Sequence, residues 1–368
     1  MARALPAEGH SYVLLDGLRG VAAIAVAIRH MPRVFDGFTA PNSHLAVDFF
    51  LQLSGFIVAY AYAPKILGGL SLRDFAWRRV NRLYPAYLVG FGLGVAVALV
   101  SALAGNGTLS DQWTSGALAC TWLPNAVMLP AACDASGYLF PLNLPMWSVF
   151  YELLINFGFF FAVVLVLRWW RSALVAAVSV ILLVVLTFPG SVDVGTGWDT
   201  FAAALARMVF SFAVGVGIYA LRLRPRGRSS LVAFGLFAIL AVVLLNPLHS
   251  YLYEVVAVTV VFPAIVFAGS LYNPSGRTAT WAFAQLGALS YVLYVVHRPL
   301  YELGHAALTK IAPGLVPRLG LAAGILFVLG ITVVAWLLAR YYEPPARRLM
   351  NRMRPRSRPI AVGSASDG

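Results

Sequence analysis

The sequence has few charged residues for its length. Only 11% of its 368 residues are Asp, Glu, Lys or Arg, whereas a soluble domain carries about 25%. No connection between its apolar runs is long enough to hide a soluble domain. Instead, 60% of the residues are hydrophobic, and apolar runs of about 20 residues recur from end to end. We therefore predict an all-α, polytopic integral membrane bundle, because the strands of a β-barrel would be shorter and strictly alternating.

Acidic residues are scarcer than basic ones. The chain has 14 Asp and Glu against 27 Lys and Arg, which leaves a formal net charge of +13. Such a charge can indicate a nucleic-acid partner. Here, however, the basic residues cluster in short connections between apolar runs, as the positive-inside rule for membrane proteins predicts. We therefore expect membrane lipid, and no nucleic acid, among the partners.

The apolar runs predict ten membrane-spanning helices. Nearly all basic residues lie in every second connection, and the opposite connections hold only Arg33, Lys310 and Arg318. The positive-inside rule therefore places both termini in the cytoplasm. The first run contains Asp16 and Arg19 and precedes further spans, so we interpret it as a retained helix rather than a signal peptide. The predicted spans are 13–31, 45–63, 86–104, 146–167, 172–188, 201–221, 230–248, 251–270, 282–302 and 318–340.

The membrane domain is predicted to cover residues 1–345, followed by a basic, disordered cytoplasmic tail over 346–368. A long outer loop at 105–145 holds the only two cysteines, Cys120 and Cys133. In an oxidising periplasm they could form a disulfide, and the alternative is two unpaired, partly buried thiols.

An arginine and a histidine share the first apolar run. Arg19 and His30 are eleven residues apart, which is about three helical turns, so their side chains would lie on one face about 16 Å apart. Ionisable groups are costly in lipid, so we expect both to face a protein interior or a hydrated cavity. There a cation could hold an anionic ligand and an imidazole could handle a proton. Alternatively, His30 is a hydrogen-bonded residue of helix packing.

The second span also carries polar residues. Asp48 and Gln52 are four apart, hence on one helix face, and Gly55 would let another backbone come close. One interpretation is a buried hydrogen-bonded clasp between helices. The other is that Asp48 orients a catalytic group or lines the site.

Arg79 and Arg82 follow the second span, three residues apart, and point the same way if the segment is helical. Arginine forks bind phosphate well. The alternative is a positive-inside signal with contacts to lipid headgroups. Two other arginines, Arg207 and Arg340, are interpreted as helix-end residues that extend toward the membrane surface.

Two later spans carry polar stripes. Ser148, Glu152 and Asn156 recur every four residues, and Glu152 could either pair with an arginine or help to bind a substrate. In the ninth span, Tyr294 and His297 lie on one side of the helix. We favour a role in lining the site for His297, while Tyr301 on the same side is assigned to an interfacial aromatic belt.

In this order, these segments resemble the membrane-bound acyltransferase family three, which includes O-acetylases of bacterial lipopolysaccharide and exopolysaccharide. The resemblance covers the whole membrane region, and the family has ten helices with its N-terminus inside. The fourth-span block, which reads Trp-Ser-Val-Phe-Tyr-Glu here, departs from that of many relatives. The matching blocks are Leu15–Gly20 with His30, Asp48–Phe56, Arg79–Pro85, Trp147-Ser148 with Glu152, Ser290–His297 and Glu343-Pro344.

The resemblance implies a multi-pass enzyme of the bacterial inner membrane. It would transfer an acyl group from acyl-CoA, most often acetyl-CoA, to a hydroxyl of a cell-surface or exported carbohydrate or its lipid-linked precursor, without a metal. His30 would be the general base. On this hypothesis the catalytic residues are His30, Asp48 and Glu152, the donor site is Arg19, Arg79 and Arg82, and the acceptor site is Trp147, Ser148, Tyr294 and His297.

Two other classes of function fit part of the pattern. A proton-coupled transporter of a sugar or a lipid-linked oligosaccharide would also use intramembrane Arg, His and Glu. Against it stand the lack of an internal repeat and the paired arginines near a loop. A membrane scaffold for polysaccharide assembly would not need His30.

Overall fold

The computed structural model describes residues 11–104, 115–132 and 137–354. It confirms an all-α polytopic membrane bundle. Within the described residues, eight helical segments are long and apolar enough to cross a membrane. The first and seventh predicted spans form shorter helices of 17 and 16 residues. Every predicted span therefore corresponds to a helical segment.

Most helices lie close to the predicted spans, but the third begins at Leu72, well before residue 86. Short 3₁₀ segments, Pro41–Leu45 and Leu144–Met146, precede the helices of the second and fourth predicted spans. Two π-helical segments, Ala257–Val261 and Leu338–Tyr342, each join two consecutive helices. The helices are α1 (Val13–Arg29), α2 (Ala46–Leu67), α3 (Leu72–Ala104), α4 (Ser115–Ala126), α5 (Trp147–Val166), α6 (Trp169–Thr187), α7 (Phe201–Ala220), α8 (Ser230–Leu245), α9 (Tyr251–Val256), α10 (Phe262–Leu271), α11 (Arg277–Ile311), α12 (Leu315–Leu319), α13 (Leu321–Leu337) and α14 (Glu343–Arg352).

At one end of the bundle, connections that the charge pattern assigns to the cytoplasm meet each other. Strand β1 (Gly227–Arg228), after α7, pairs in parallel with β2 (Tyr272–Asn273), after α10. Asn273 also binds the start of α1, because its amide donates to the Ser11 carbonyl at 2.9 Å. We call this end, which also carries α14 and the start of α3, the basic end.

At the opposite end, connections assigned to the outer side meet. The Asn42 amide, after α1, donates to the carbonyls of Asn246 and Leu248, after α8, at 2.8 and 2.6 Å. The Arg29 guanidinium donates to the Asp193 carboxylate at 2.7 Å, which joins α1 to the segment after α6. The two groups of connections therefore agree with the predicted alternation of ten spans.

Glycines allow the closest helix contacts. A Cβ on Gly20 of α1 would collide with the Leu286 carbonyl of α11, and a Cβ on Gly287 would collide with Asp16. Gly55 of α2 similarly lies against the backbone of Phe212 on α7, as predicted. Small residues let membrane helices approach backbone to backbone. The pairs α1–α11 and α2–α7 are therefore fixed at short range.

The C-terminal segment differs from its prediction in part. Helix α14 runs to Arg352 and passes the predicted domain boundary at residue 345. It is held against α3, because the Arg347 guanidinium donates to the Arg82 carbonyl at 3.0 Å and Arg354 pairs with Asp74 at 2.5 Å. Residues 355–368 of the predicted tail lie outside the described residues.

Within the long outer loop, 115–126 is helical. The outer loop is attached to the segment after α6, because the Trp198 indole donates to the Ala131 carbonyl at 2.8 Å. The predicted pairing of Cys120 with Cys133 stays a prediction, since Cys133 lies outside the described residues.

Candidate active site

A cavity of 220 Å³ lies among α1, α2, α3, α5 and α11, toward the basic end. Its wall includes Arg19, Arg79 and Arg82, the three arginines predicted to form the donor site. A second cavity of 510 Å³ shares Asp16, Arg19 and Arg82 with the first and is bordered by α14. The structure therefore places the predicted donor residues together.

Glu152 on α5 forms an ion pair in the cavity wall. Its carboxylate accepts a hydrogen bond from the Arg79 guanidinium at 2.6 Å and from the Ser54 hydroxyl at 3.0 Å. Of the two interpretations, the pairing of Glu152 with an arginine is confirmed. The Arg79 Nε is buried and has no hydrogen-bond partner in the described part of the chain. The protein therefore satisfies this ion pair incompletely within the described residues.

Arg19 and Arg82 line both cavities. The Arg19 Nε donates to the Ser290 hydroxyl on α11 at 2.8 Å, and its Nη2 lies 3.6 Å from Asp16. Arg82 lies 3.4 Å from Glu343 on α14, whose carboxylate also binds Arg347. Both guanidiniums are therefore held by acidic partners at the basic end.

Two hydroxyls form part of the same wall. The hydroxyls of Ser148 and Tyr294 are 2.6 Å apart, and both oxygens lie within hydrogen-bond distance of the Pro145 carbonyl, at 3.2 and 3.0 Å. Because each hydroxyl has one hydrogen, one of them donates to the carbonyl and the other donates to its neighbour. Both were predicted in the acceptor site, and both line the cavity. Trp147 does not appear in this wall; its ring packs edge-on against Tyr151, with centroids 5.9 Å apart.

His30 and His297 form a pair of imidazoles between α1 and α11. The Nδ1 of His30 lies 2.9 Å from the Val26 carbonyl and 3.1 Å from the Nε2 of His297. The Nδ1 of His297 lies 3.2 Å from the Leu293 carbonyl. His297 is completely buried, whereas His30 is half-buried.

The predicted shared face of Arg19 and His30 is confirmed. Arg19 binds Ser290 and His30 binds His297, and these two partners lie seven residues apart, two turns of α11. Only Arg19 lines the 220 Å³ cavity, and neither histidine is in the wall described for it. Tyr294 is the cavity residue next to the histidine pair, because it lines the cavity and its ring centroid is 6.0 Å from that of His297.

Asp48 has a different role from the predicted catalytic one. Its carboxylate accepts hydrogen bonds from Arg207 at 2.5–3.0 Å and from the Ser211 hydroxyl at 3.0 Å. The side chains of Asp48 and Arg207 are both fully buried. Of the two interpretations of Asp48, the buried clasp between helices, here α2 and α7, is confirmed, and the alternative that Asp48 orients a catalytic group is wrong. The assignment of Arg207 as a helix-end residue extending to the surface is also wrong.

The partners of Arg19 and His30 were not predicted from the sequence. Ser290 binds Arg19, and His297 was assigned to the acceptor site rather than to His30. For the clasp, one signal was available in the sequence. Intramembrane ionisable groups pair with one another, so an isolated Asp in one span and an isolated Arg in another are candidate partners. This rule predicts the pairing of Asp48 with Arg207.

Helical spans around an arginine-lined cavity, with ionisable side chains between helices, define a multi-pass membrane protein with an internal polar site. A family model described as an acyltransferase domain matches residues 12–340. The chain therefore belongs to acyltransferase family 3, and it is a membrane acyltransferase. It is 35% identical over 187 residues to "Protein 2 in picA locus" of Rhizobium radiobacter, an alignment covering 47% of this chain and 93% of that protein. No solved structure matches the chain significantly.

Proposed function

We propose that this membrane acyltransferase transfers an acetyl group from acetyl-CoA to a hydroxyl of an exported or cell-surface carbohydrate, in the bacterial inner membrane. The observation that carries the proposal is the convergence of Arg19, Arg79 and Arg82 on one cavity at the basic end. Guanidinium forks match phosphate oxygens, so this cavity suits a donor with several phosphate groups. The positive-inside rule supports a cytoplasmic position for this end, where acyl-CoA is available.

The chemical step needs a base. His30 takes the proton of the acceptor hydroxyl while the oxygen attacks the thioester carbonyl carbon. The carbon–sulfur bond breaks, and the thiolate of CoA recovers the proton from His30. Positioned general-base catalysis contributes roughly 10² to 10⁴ in rate. Tyr294 lines the cavity and lies next to His297, so the acyl group would pass this side chain on its way to His30.

The acceptor would meet the site near Ser148 and Tyr294, which line the cavity and whose hydroxyls are 2.6 Å apart. Each of these hydroxyls can donate a hydrogen bond to a sugar hydroxyl or accept one from it. The other ends of α1 and α2 carry the connections assigned to the outer side, which supports an acceptor presented from that side.

Donor binding tests the proposal against transport. CoA added to the purified full-length protein should raise its unfolding temperature, because a ligand that binds only the folded state stabilises it. The Arg79→Ala and Arg82→Ala variants should lose most of this shift, while Arg340→Ala, which lies outside both cavity walls, should keep it. An unchanged unfolding temperature at millimolar CoA would contradict the proposal and favour the sugar transporter.

The product is tested in cells. Polysaccharide from cells with the wild-type protein should contain ester-linked acetyl groups, and polysaccharide from cells with an empty vector should lack them. Equal ester content in both would contradict the proposed acceptor class.

A further inference from the structure

We infer that His297 is a positioning residue for the base, and that it holds His30 in the form whose Nε2 accepts the proton. The inference rests on the proposed function, in which His30 is the base. Its evidence is a row of four groups between α1 and α11: the Leu293 carbonyl, His297, His30 and the Val26 carbonyl.

The row begins at a carbonyl, which fixes the proton on His297. The Leu293 oxygen can only accept, and it lies 3.2 Å from the Nδ1 of His297. This nitrogen therefore carries the hydrogen. A neutral imidazole has one N–H, so the Nε2 of His297 presents a lone pair. His297 is completely buried, which favours the neutral ring because burying a charge is costly.

The same reasoning fixes the proton on His30. Its Nδ1 lies 3.1 Å from the lone pair of His297 and 2.9 Å from the Val26 carbonyl, and both of these groups are acceptors. The Nδ1 of His30 must therefore carry the hydrogen, which the two acceptors share in a bifurcated bond. In the neutral ring, the Nε2 of His30 is left with the free lone pair. This nitrogen is the one that can take a proton from a hydroxyl.

His297 also stabilises the state that follows proton transfer. When the Nε2 of His30 accepts the hydroxyl proton, the ring becomes a cation and its Nδ1–H bond to His297 becomes charge-assisted. In a serine hydrolase, an aspartate has the same role, because it accepts the Nδ1–H hydrogen bond of the catalytic histidine. Here a neutral imidazole takes the place of the carboxylate. The proton passes from Nε2 of His30 to the departing thiolate, so His297 neither gains nor loses a proton.

Packing explains why the two rings meet. Gly20 and Gly287 bring α1 and α11 into backbone contact, and both histidines lie along this seam. His297 is outside the cavity wall, so its predicted place in the acceptor site is replaced by a place behind the base.

Kinetics with two substitutions test the role. The amide oxygen of His297→Gln can reach the position of Nε2 and accept from His30, whereas His297→Leu removes the acceptor. We expect His297→Leu to lower kcat by about 10- to 100-fold, the range for a lost hydrogen bond to a group that becomes charged. The KM for acetyl-CoA should stay unchanged, and His297→Gln should recover most of kcat. Unchanged kcat in His297→Leu, or equal losses in both variants, would overturn the inference.

A spectroscopic measurement on the wild-type protein is independent of activity and of variant folding. In full-length protein with ¹⁵N-labelled histidine, His30 should show a protonated Nδ1 and a bare Nε2. A through-bond correlation should join its Nδ1 to the Nε2 of His297. A proton on the Nε2 of His30, or no correlation, would overturn the inference. Failure of the proposed function is a separate outcome, namely full transfer by His30→Ala.

Discussion

Two clusters in the bundle share one chemistry and differ in their surroundings. In the first, Asp48 accepts from Arg207 and Ser211. In the second, Glu152 accepts from Arg79 and Ser54. We call them the clasp and the cavity pair, respectively.

The two clusters differ in exposure and in how completely the protein satisfies them. Both side chains of the clasp ion pair are 0% exposed, whereas Arg79 and Glu152 are 9% and 23% exposed. Arg207 also donates to the carbonyls of Val194 and His44. The Nε of Arg79 has no partner among the described residues. A fully buried and satisfied ion pair fixes helices, whereas a partly exposed pair in a cavity wall can contact a ligand.

The largest expected effect separates the clusters by stability. Asp48→Ala should destabilise the protein by about 3–5 kcal/mol, because it leaves the Arg207 charge buried and unpaired. Glu152→Ala should cost much less, because its partner reaches the cavity. Thermal unfolding of the purified variants measures both. The double variant Asp48→Leu with Arg207→Leu should regain most of the loss. Equal destabilisation by Asp48→Ala and Glu152→Ala would contradict the distinction between a structural clasp and a cavity pair that binds a ligand.

The next effect concerns the contact between α1, which carries Arg19 and leads into His30, and α11. Gly20→Leu should cost about 1–3 kcal/mol through overpacking against Leu286, and it should also reduce kcat by separating His30 from His297. Gly92→Leu is the matched control, because a Cβ at Gly92 would meet nothing within 4 Å. If both variants have the same stability and kcat, the close approach of α1 and α11 has no role in the site.

A smaller effect is expected on donor binding. Arg79→Ala should raise the KM for acetyl-CoA by about 10- to 100-fold, because a hydrogen bond to a charged group contributes about 1.5–3 kcal/mol. The value of kcat should change little, as expected for an interaction made equally in the ground and transition states. Steady-state kinetics checks this prediction. A fall in kcat at unchanged KM would assign Arg79 to the chemical step instead.

The smallest effects compare the two serines. Ser211→Ala should lower stability by about 1 kcal/mol, since it removes a hydrogen bond from the buried Asp48. Ser54→Ala should leave stability nearly unchanged and should alter only donor binding. Unfolding temperatures and the KM for acetyl-CoA, measured on both variants, provide the comparison. The reverse pattern would exchange the roles of the clasp and the cavity pair.

Much of the fold follows from the sequence because apolar length and the placement of basic residues determine the number and direction of spans. The sequence predicts the ends of the helices less well. Helix α3 begins at Leu72, well before the predicted span at 86, because its first turns are basic and project beyond the apolar run. The helical start of the predicted tail depends on contacts of Arg347 and Arg354 with α3, which local sequence does not specify.

The site was predicted in part for a related reason. Helical periodicity determines which residues share a face, so Arg19 with His30 and Arg79 with Arg82 were accessible from spacing. Periodicity does not determine which helices are neighbours. The pairing of Asp48 with Arg207, and of His30 with His297, depends on the α2–α7 and α1–α11 contacts, and these follow from tertiary packing of glycines.

The central claim is that His30 acts as the base in acetyl transfer from acetyl-CoA. Its most direct test is the transfer rate of purified, membrane-reconstituted protein with labelled acetyl-CoA and a carbohydrate acceptor from the same cells. The matched control is His249→Ala, which changes a half-exposed histidine at the opposite end from the arginine cavity. We expect His30→Ala to lower the rate by a factor of roughly 10² to 10⁴. The His249→Ala variant should transfer at nearly the wild-type rate, and both variants should unfold near the wild-type temperature. Wild-type transfer by a folded His30→Ala protein would contradict the account.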